Sequence, residues 1–410
     1  MDTDAIAERV RAFYERHPYP PPVDGLDGYR RAWQDRDRRR ADHHLFWPAR
    51  AYTETASILI AGCGTSQAAK HAMRWPDARV TGIDFSATAV RCTEELKRRY
   101  DLHNLEVHQL PVERVGELGA TFDQIVCTGV LHHLADPDTG LAALRDVLAR
   151  DGAMHLMVYA PYGRTGVYML QDLSRRIGVQ PTPGDIHDLA SALALLPREH
   201  PLAPLLRTAP DFRDDAGLAD ALLHPRDRAY SVPELFALLD RADLVFGRWL
   251  QQAPYGLRCG VMDRLPDGVR ARIADLSLRD QTAAVELFRG TMVRHSAVVY
   301  RDVGLAAAQR IDFSGDAWGS YVPIRSSHTV RIQERLPPGA AAVLINRSHS
   351  HNDIFLPIDV REERLFDAID GARTIAEIAG SAGSPQDTGA FFERLYQHDQ
   401  VVFDASGCLR

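Results

Sequence analysis

The chain has 410 residues, of which 45% are hydrophobic and 25% are charged, and its formal net charge is −7. This composition is typical of a globular protein with more than one domain, and it excludes a strongly basic nucleic-acid-binding protein. The five cysteines form no CxxC pair, and no stretch reaches the roughly 18 apolar residues of a membrane span, so we expect a cytoplasmic protein without disulfides or zinc.

The first predicted element is a helix over residues 4–17, in which apolar residues recur at helical spacing. Prolines between Pro18 and Pro22 end this helix and impose an extended segment. We interpret residues 1–50 as a helical lid, in which Tyr14 and Tyr19 face the cofactor. The alternative is that this segment only packs against the main domain.

Five short apolar strands then alternate with helices. The strands are predicted at 58–61, 79–83, 105–108, 122–128 and 153–159, and the intervening helices at 66–74, 87–100 and 138–150. This alternation predicts a doubly wound α/β fold with a mostly parallel sheet. The domain, which we place at residues 51–302, also contains elements predicted at 231–241, 244–250, 281–289 and 295–300.

Two other regions have a different pattern. Residues 163–230 have no strand signal and several prolines, so we expect a helical insertion that either shapes a substrate pocket or only caps the sheet. Residues 303–410 form a separate small α+β module that resembles a winged helix. Its strands are predicted at 343–346, 353–356 and 400–403, and its helices at 362–369, 374–379 and 388–398.

The C-terminal module has three alternative roles. Its helical part resembles small modules that bind an extended peptide along a sheet edge. It could instead serve as a structural or dimer contact, which leaves a homodimer open. Nucleic-acid binding is disfavoured because the module is not basic.

The main functional signal is the run Ile58-Leu-Ile-Ala-Gly62-Cys-Gly64, where a buried strand turns sharply into a helix. Glycine permits a positive φ there and lets the backbone approach a ligand closely. Asp84 ends the next strand about 20 residues later, where a carboxylate accepts hydrogen bonds from two ribose hydroxyls. A dinucleotide needs a third glycine for its pyrophosphate, and Ser66 or Gln67 stands in that place; S-adenosylmethionine has no phosphate.

Three ordered motifs, Ile60–Thr65, Gly82–Ser86 and Cys127–Leu134, resemble those of class I S-adenosylmethionine-dependent methyltransferases. The resemblance implies S-adenosylmethionine as the cofactor. It also implies that the glycine turn faces the methionine moiety, that Asp84 holds the ribose and that Phe85 packs on adenine. The implied cofactor-binding residues are Gly62, Cys63, Gly64, Asp84, Phe85, Gln109, Leu110, Thr128 and Gly129.

The chain departs from the family pattern at two places. The acidic residue that is usual two positions before the first glycine is Ile60, and Gln109-Leu-Pro111 replaces the usual acidic residue after the third strand. These departures keep open a non-catalytic binding protein that retains a degenerate methyltransferase fold. A nicotinamide-dependent oxidoreductase is a second alternative.

Methyl transfer from a sulfonium requires mainly that the nucleophile be aligned and water excluded. The candidate catalytic residues are Tyr14, His132 and His133; the histidines either accept a proton or only pack near the cofactor. The candidate substrate-binding residues are Tyr19, Tyr159, Tyr162 and Arg164. No metal site is expected, because His349 and His351 have no neighbouring cysteine or carboxylate series.

We therefore predict methyl transfer from S-adenosylmethionine to an N or O atom of a small molecule or a peptide. We expect no membrane partner. An RNA acceptor is disfavoured, because the sequence has no basic stripe interleaved with aromatic residues.

Overall fold

The computed structural model describes residues 3–380 and 384–409. The chain divides into two compact units that interleave along the sequence. The first consists of Met1–Arg30, Thr55–Leu244 and Arg289–His295, and the second of Arg31–Glu54, Val245–Phe288 and Ser296–Arg410. The ranges 1–50, 51–302 and 303–410 were predicted as contiguous domains and stay a prediction. Met1, Asp2 and Arg410, at the ends of those ranges, lie outside the described residues.

The structure contains 17 α-helices and 12 strands among its described residues. The helices are α1 (Thr3–Arg16), α2 (Asp27–Ala32), α3 (Arg36–Phe46), α4 (Gln67–Arg74), α5 (Ala87–Tyr100), α6 (Pro137–Val147), α7 (Thr165–Ile177), α8 (Pro183–Leu193), α9 (Ala203–Thr208), α10 (Asp215–Leu223), α11 (Val232–Arg241), α12 (Asp267–Ala274), α13 (Leu278–Arg289), α14 (Val303–Ala308), α15 (Val360–Asp367), α16 (Ile375–Ala379) and α17 (Pro385–Gln397). The strands are β1 (Ser57–Ala61), β2 (Arg79–Asp84), β3 (Leu105–Gln109), β4 (Phe122–Thr128), β5 (Leu148–Tyr159), β6 (Val245–Trp249), β7 (Arg294–Tyr300), β8 (Val322–Arg325), β9 (Thr329–Ile332), β10 (Ala342–Asn346), β11 (Leu356–Ile358) and β12 (Val401–Asp404).

A parallel sheet organises the first unit. β1 pairs with β2 and β4, β2 pairs with β3, and β4 pairs with β5, all in parallel, which gives the order β3-β2-β1-β4-β5. Four of the five residues of β1 are buried, because a strand at the centre of a covered sheet has no solvated face. The predicted α/β fold with a mostly parallel sheet is confirmed.

The direction of these strands decides where functional residues meet. Parallel strands bring their carboxyl ends to one edge, which is where open α/β sheets bind ligands. β1, β2, β4 and β5 end at Ala61, Asp84, Thr128 and Tyr159. Each of the predicted motifs therefore begins at the same edge of the sheet.

The region predicted as a helical insertion contains α7, α8, α9 and α10, and none of its described residues lies in a strand. These helices share a buried apolar cluster with Phe13 of α1; its other members include Val167, Leu189, Leu202 and Leu218. The insertion therefore has a core of its own, to which α1 contributes.

The second unit contains small antiparallel sheets. β10 pairs with β9 and β11, and β12 pairs with β8. Their apolar faces join α15, α16 and α17 in one buried cluster around Phe391, Phe392 and Phe403. β6 also pairs antiparallel with the end of β7 in this unit. The winged-helix-like character of the module stays a prediction.

Several elements were missed or shifted in the sequence analysis. Helices α2 and α3 lie within residues 1–50, where only the helix over residues 4–17 was predicted. The strand predicted at 353–356 begins only at Leu356, and β8 and β9 were not predicted. β8 contains Pro323, which is unusual within a strand, and β9 has only four residues, none of them buried, so both signals are weak.

No helix among the described residues combines the length and the apolar character needed to cross a membrane.

The burial of β1 predicts how sensitive the fold is to its residues. Leu59 is 0% exposed and Leu195 is 85% exposed, which gives two leucines for the same substitution. Leu59→Ala should lower the free energy of unfolding by about 2–5 kcal/mol, because it removes buried apolar surface and leaves a cavity. Leu195→Ala should change it by less than about 0.5 kcal/mol. Denaturant titration measures both, and equal effects would contradict the assigned burial.

Candidate functional site

The glycine turn after β1 has the backbone geometry that the sequence predicted. Gly62 and Gly64 have φ values of 67° and 54°, in the left-handed region. A Cβ atom on Gly62 would lie 2.3 Å from Cγ2 of Val130, so this position accepts no side chain without displacing its neighbour. The turn therefore leaves main-chain atoms uncovered at the edge of the sheet, as close approach to a ligand requires.

Asp84, at the end of β2, is bound to this turn. Its carboxylate accepts hydrogen bonds from the backbone N–H groups of Gly64 and Ser86, both at 2.9 Å. Burial raises the pKa of Asp84 to about 6, although these two hydrogen bonds oppose the rise. A carboxylate has about four acceptor positions, so Asp84 retains capacity for two hydroxyl donors.

A cavity of about 290 Å³ opens at this edge, and all its lining residues belong to the first unit. Seven of the nine predicted cofactor-binding residues line it: Gly62, Gly64, Asp84, Phe85, Leu110, Thr128 and Gly129. The uncovered main chain of the turn fits the methionine part of S-adenosylmethionine. The acceptor capacity of Asp84 fits the ribose hydroxyls, and the apolar surface of Phe85 and Leu110 fits adenine.

The other two predicted cofactor residues are not part of the cavity wall. Cys63 is 0% exposed because it points into the core, where its Cβ and Sγ atoms lie against Gly82. Gln109 is exposed, and its amide donates a hydrogen bond to the Phe85 carbonyl at 3.3 Å. The assignment of both as side-chain contacts to the cofactor is therefore not supported by their positions.

Four of the predicted catalytic and substrate residues line the cavity: Tyr14, Tyr19, His133 and Tyr159. Tyr14 donates a hydrogen bond to Asp220 at 2.9 Å, and Tyr19 donates one to Asp211. Burial is the main cause that raises the pKa of each tyrosine hydroxyl, and the neighbouring carboxylate raises it further. Each hydroxyl therefore keeps its proton, which it donates to that carboxylate. Neither hydroxyl is placed to act as a base.

His132 does not line the cavity. It is 0% exposed, and its ring packs on Tyr159 with the centroids 4.0 Å apart. Neither ring nitrogen has a hydrogen-bond partner among the described residues, and burial lowers its pKa well below the ordinary value. These observations favour the packing alternative over proton transfer.

Arg164 and Tyr162 also lie off the cavity wall. The Arg164 guanidinium is 3.1 Å from the carboxylate of Asp227 and lies 3.6 Å from the centroid of the Tyr159 ring. Arg164 is thus bound within the protein and unavailable to an acidic substrate group, and it supports the position of Tyr159. Tyr162 is 40% exposed on the following turn.

Three carboxylates on the cavity wall were not predicted as site residues: Glu113, Asp211 and Asp220. Glu113 follows β3, where the family pattern expects an acidic residue. Asp220 interrupts the apolar run Leu218-Ala-Asp-Ala-Leu222 of α10, and a lone acidic residue in such a run is the signal that could have identified it.

Asp220 is buried, with 4% of its surface exposed. Burial raises its pKa to about 7, and the hydrogen bond from Tyr14 opposes the rise. A buried carboxylate with a perturbed pKa inside a cavity is typical of a functional position.

Comparisons with known proteins agree with this geometry. The family model of a methyltransferase domain matches residues 59–154. An uncharacterized protein of Synechococcus sp., syc1184_c, is 30% identical over 308 residues, which cover 70% of this chain and 72% of that protein. The chain therefore contains a methyltransferase domain, and its parallel sheet and cofactor motifs are those of the class I S-adenosylmethionine-dependent type.

Two further proteins resemble this methyltransferase, one over a part of its length and one over nearly all of it. A malonyl-[acyl-carrier protein] O-methyltransferase of Acetivibrio thermocellus is 27% identical over 120 residues, 29% of this chain and 41% of that protein. The structure of PKMT2 from Rickettsia typhi in complex with AdoHcy has a TM-score of 0.64 at 14% identity, covering 94% of this chain and 77% of that one. At 14% identity, the similarity to PKMT2 supports the fold alone.

One group of side chains in the methyltransferase has the proximity of a metal site. Ligand atoms of His133, Asp220 and His224 all lie within 4.8 Å of one another. However, Nδ1 of His224 accepts a hydrogen bond from the Arg226 N–H at 3.0 Å, so the ring proton is on Nε2. A nitrogen that carries a proton is no metal ligand, so this hydrogen bond opposes a three-ligand site.

The position of Asp84 predicts a loss of cofactor affinity in Asp84→Asn. The amide has one acceptor oxygen instead of two, and its NH2 group would face the N–H of Gly64 or Ser86. We expect the methyltransferase variant to bind S-adenosylhomocysteine at least about tenfold more weakly in calorimetry. Asp101→Asn, an exposed matched control, should bind as the unchanged chain does. Equal affinities for the two variants would contradict the assigned role.

The raised pKa of Asp220 predicts a pH dependence of stability. Its folded pKa of about 7 exceeds its ordinary value of 3.8, so its contribution to stability is complete below 3.8 and is lost as the pH rises through about 7. The free energy of unfolding should fall by at most about 1.4 kcal/mol per pH unit from this group. The groups that face it are Tyr14, His133, Arg164, Asp211, His224 and Asp227.

Asp220→Asn tests this dependence, because it removes the titrating group and retains the shape. Denaturant titrations at pH 5 and pH 7 should show a smaller loss of stability for the variant than for the unchanged methyltransferase. Asp188→Asn, an exposed substitution in the same insertion, should lose as much stability between pH 5 and pH 7 as the unchanged chain does. A variant that loses as much stability as the unchanged chain would show that Asp220 does not titrate in this range.

Proposed function

We propose that the chain transfers the methyl group of S-adenosylmethionine to a nitrogen or oxygen atom of a small molecule or of a peptide side chain. The observation that carries this proposal is the composition of the cavity. The glycine turn and Asp84 line one part of it, and Tyr14, His133 and Asp220 line another. Methyl transfer requires a donor site and an acceptor site that share one enclosed space.

The donor side follows from the order of the strands. In our proposal the main chain at Gly62 and Gly64 contacts the methionine part, together with Thr128 and Gly129, and Asp84 accepts hydrogen bonds from the ribose hydroxyls. Phe85 and Leu110 provide apolar surface for adenine. Glu113 takes the place of the acidic residue that the family pattern has after the third strand.

The N-terminal segment supports the proposal because it covers the cavity. Ala7, Val10, Tyr14, Pro18, Tyr19 and Pro20 line it from this side. The segment is held at two places. The Glu15 carboxylate accepts hydrogen bonds from the Ala87 N–H at 2.6 Å and from the Thr88 hydroxyl at 2.6 Å, and the Thr65 hydroxyl donates to the Pro20 carbonyl at 2.8 Å.

This covering segment acts in our proposal as the predicted lid. S-adenosylmethionine supplies a methyl group on a positively charged sulfur, and exclusion of water from that group favours transfer to the bound nucleophile. The cavity of about 290 Å³ is at the lower limit of ligand pockets. The cofactor occupies part of this volume, so our proposal assigns to the remainder a small acceptor or the end of a side chain that a peptide presents.

The proposal is tested with methyl-labelled S-adenosylmethionine and a panel of amines, alcohols, phenols and short peptides. We expect S-adenosylhomocysteine and a labelled product to form in equal amounts with at least one acceptor class. Binding of S-adenosylhomocysteine without transfer to any member of the panel would favour the non-catalytic alternative. Binding of NADH in its place would favour the oxidoreductase.

Two glycine variants control this experiment. Gly62→Ala should reduce turnover at least about tenfold, because its Cβ would lie 2.3 Å from Val130 at the turn that contacts the cofactor. Gly178 also has a positive φ, 75°, but a Cβ there meets nothing within 4 Å. Gly178→Ala therefore imposes comparable backbone strain away from the site and should retain turnover. Equal losses in the two variants would attribute the effect to strain alone.

A further inference from the structure

The charge of the cavity wall indicates which acceptor it suits. The wall carries the carboxylates of Asp84, Glu113, Asp211 and Asp220, against the single guanidinium of Arg294 among its described residues. The aromatic rings of Tyr14 and Phe85 lie on the same wall, and such rings attract cations. An anionic acceptor would be repelled here, whereas an amine or another cation would be attracted.

Asp220 presents an acceptor atom toward this space. Tyr14 donates its hydrogen bond to Oδ1 of Asp220, and Oδ2 has no hydrogen-bond partner among the described residues. Because Asp220 lines the cavity, this oxygen can accept a hydrogen bond from an N–H or O–H group of a ligand.

His133 presents a second acceptor atom. Its Nδ1 is 2.7 Å from the carbonyl oxygen of Arg226, and a carbonyl only accepts, so Nδ1 carries the proton of the neutral ring. Nε2 is then unprotonated and has a free lone pair. The His133 pKa is lowered, chiefly by burial, which favours this neutral form at neutral pH.

The separation of the two acceptors suits one nitrogen atom. A ring nitrogen of His133 and a carboxylate oxygen of Asp220 lie within 4.8 Å of each other. Two acceptors that each lie about 2.9 Å from a tetrahedral nitrogen, along two of its N–H bonds, are about 4.7 Å apart. The upper limit of 4.8 Å includes this separation, so the two N–H groups of one NH2 group fit between the two residues.

We propose that the methyl acceptor is a primary amine, whose two N–H groups donate to Asp220 and His133. This inference rests on the proposed function and adds to it the substrate class and the residues that orient it. Asp220 and His133 are the specificity-determining residues of the acceptor site.

The chemistry follows from this arrangement. The ammonium form loses one proton to solvent as it binds, because a second positive charge beside the sulfonium is unfavourable. With both remaining N–H groups donated, the lone pair of the amine occupies the last tetrahedral position. It forms the new N–C bond to the methyl carbon, and the electron pair of the broken C–S bond goes to sulfur. The nitrogen becomes positively charged, and the Asp220 carboxylate stabilises that charge.

An alcohol fits the same two acceptors poorly. It has one O–H group, so one of the two buried acceptors would stay without a donor. It also develops no permanent ammonium charge for Asp220 to stabilise. The structure therefore assigns selectivity for an amine over an alcohol of the same shape.

The test compares acceptors that differ in one atom. The unchanged chain is incubated with S-adenosylmethionine and either phenethylamine or phenethyl alcohol, and with a lysine pentapeptide or its analogue that carries a hydroxyl in place of the ε-amine. We expect kcat/KM to be at least about tenfold higher for an amine than for its matched alcohol. Equal values, or transfer to the alcohols alone, would overturn the inference and leave the proposed methyl transfer intact. No transfer to any acceptor would contradict the proposed function itself.

Three variants locate the selectivity. Asp220→Asn and His133→Phe should each reduce the amine kcat/KM at least about tenfold and reduce the preference over the alcohol, with little change in the affinity for S-adenosylhomocysteine. Asp188→Asn is the matched control and should retain both. A retained amine preference in Asp220→Asn and His133→Phe would overturn the inference. Stoichiometric zinc in the purified chain, and its loss in Asp220→Asn, would also overturn the inference, because these residues would then bind a metal.

Discussion

The hydrogen bonds between Asp84 and the glycine turn join the two strands on which the cofactor site depends. Asp84 ends β2, and its two carboxylate oxygens bind the N–H groups of Gly64 and Ser86. The turn after β1 and the start of α5 are therefore held by a single side chain. The same carboxylate retains acceptor positions on the cavity side. One residue thus maintains the shape of the site and offers a ligand-binding group.

The cavity wall brings several carboxylates together, and burial makes their ionised form unfavourable. Burial raises the pKa values of Asp84 and Asp220 to about 6 and about 7, so part of each population is protonated near neutral pH. A ligand with positive charge and hydroxyl or amine donors would remove this penalty. The features that make the wall unfavourable in the absence of a ligand are those that would make it selective.

In the proposed assignment, the donor side and the acceptor side of the cavity are built differently. The donor side comes from turns that directly follow β1, β2, β3 and β4, within one continuous stretch of chain. The acceptor side combines Tyr14 of α1, His133 after β4 and Asp220 of α10, which are brought together by the shared core of α1 and the insertion. Changes in the insertion can therefore alter the acceptor site without disturbing the cofactor site.

The sequence by itself determined the alternation of strands and helices, the glycine turn and the position of Asp84 at the end of the next strand, because these depend on local periodicity and on spacing within one βαβ unit. Only the tertiary structure decided that Cys63 and His132 point into the core, that Arg164 is bound to Asp227 and that Asp220 meets Tyr14 across 206 residues. Side-chain direction and long-range contacts depend on how helices pack, and residue type and spacing along the chain do not record that packing.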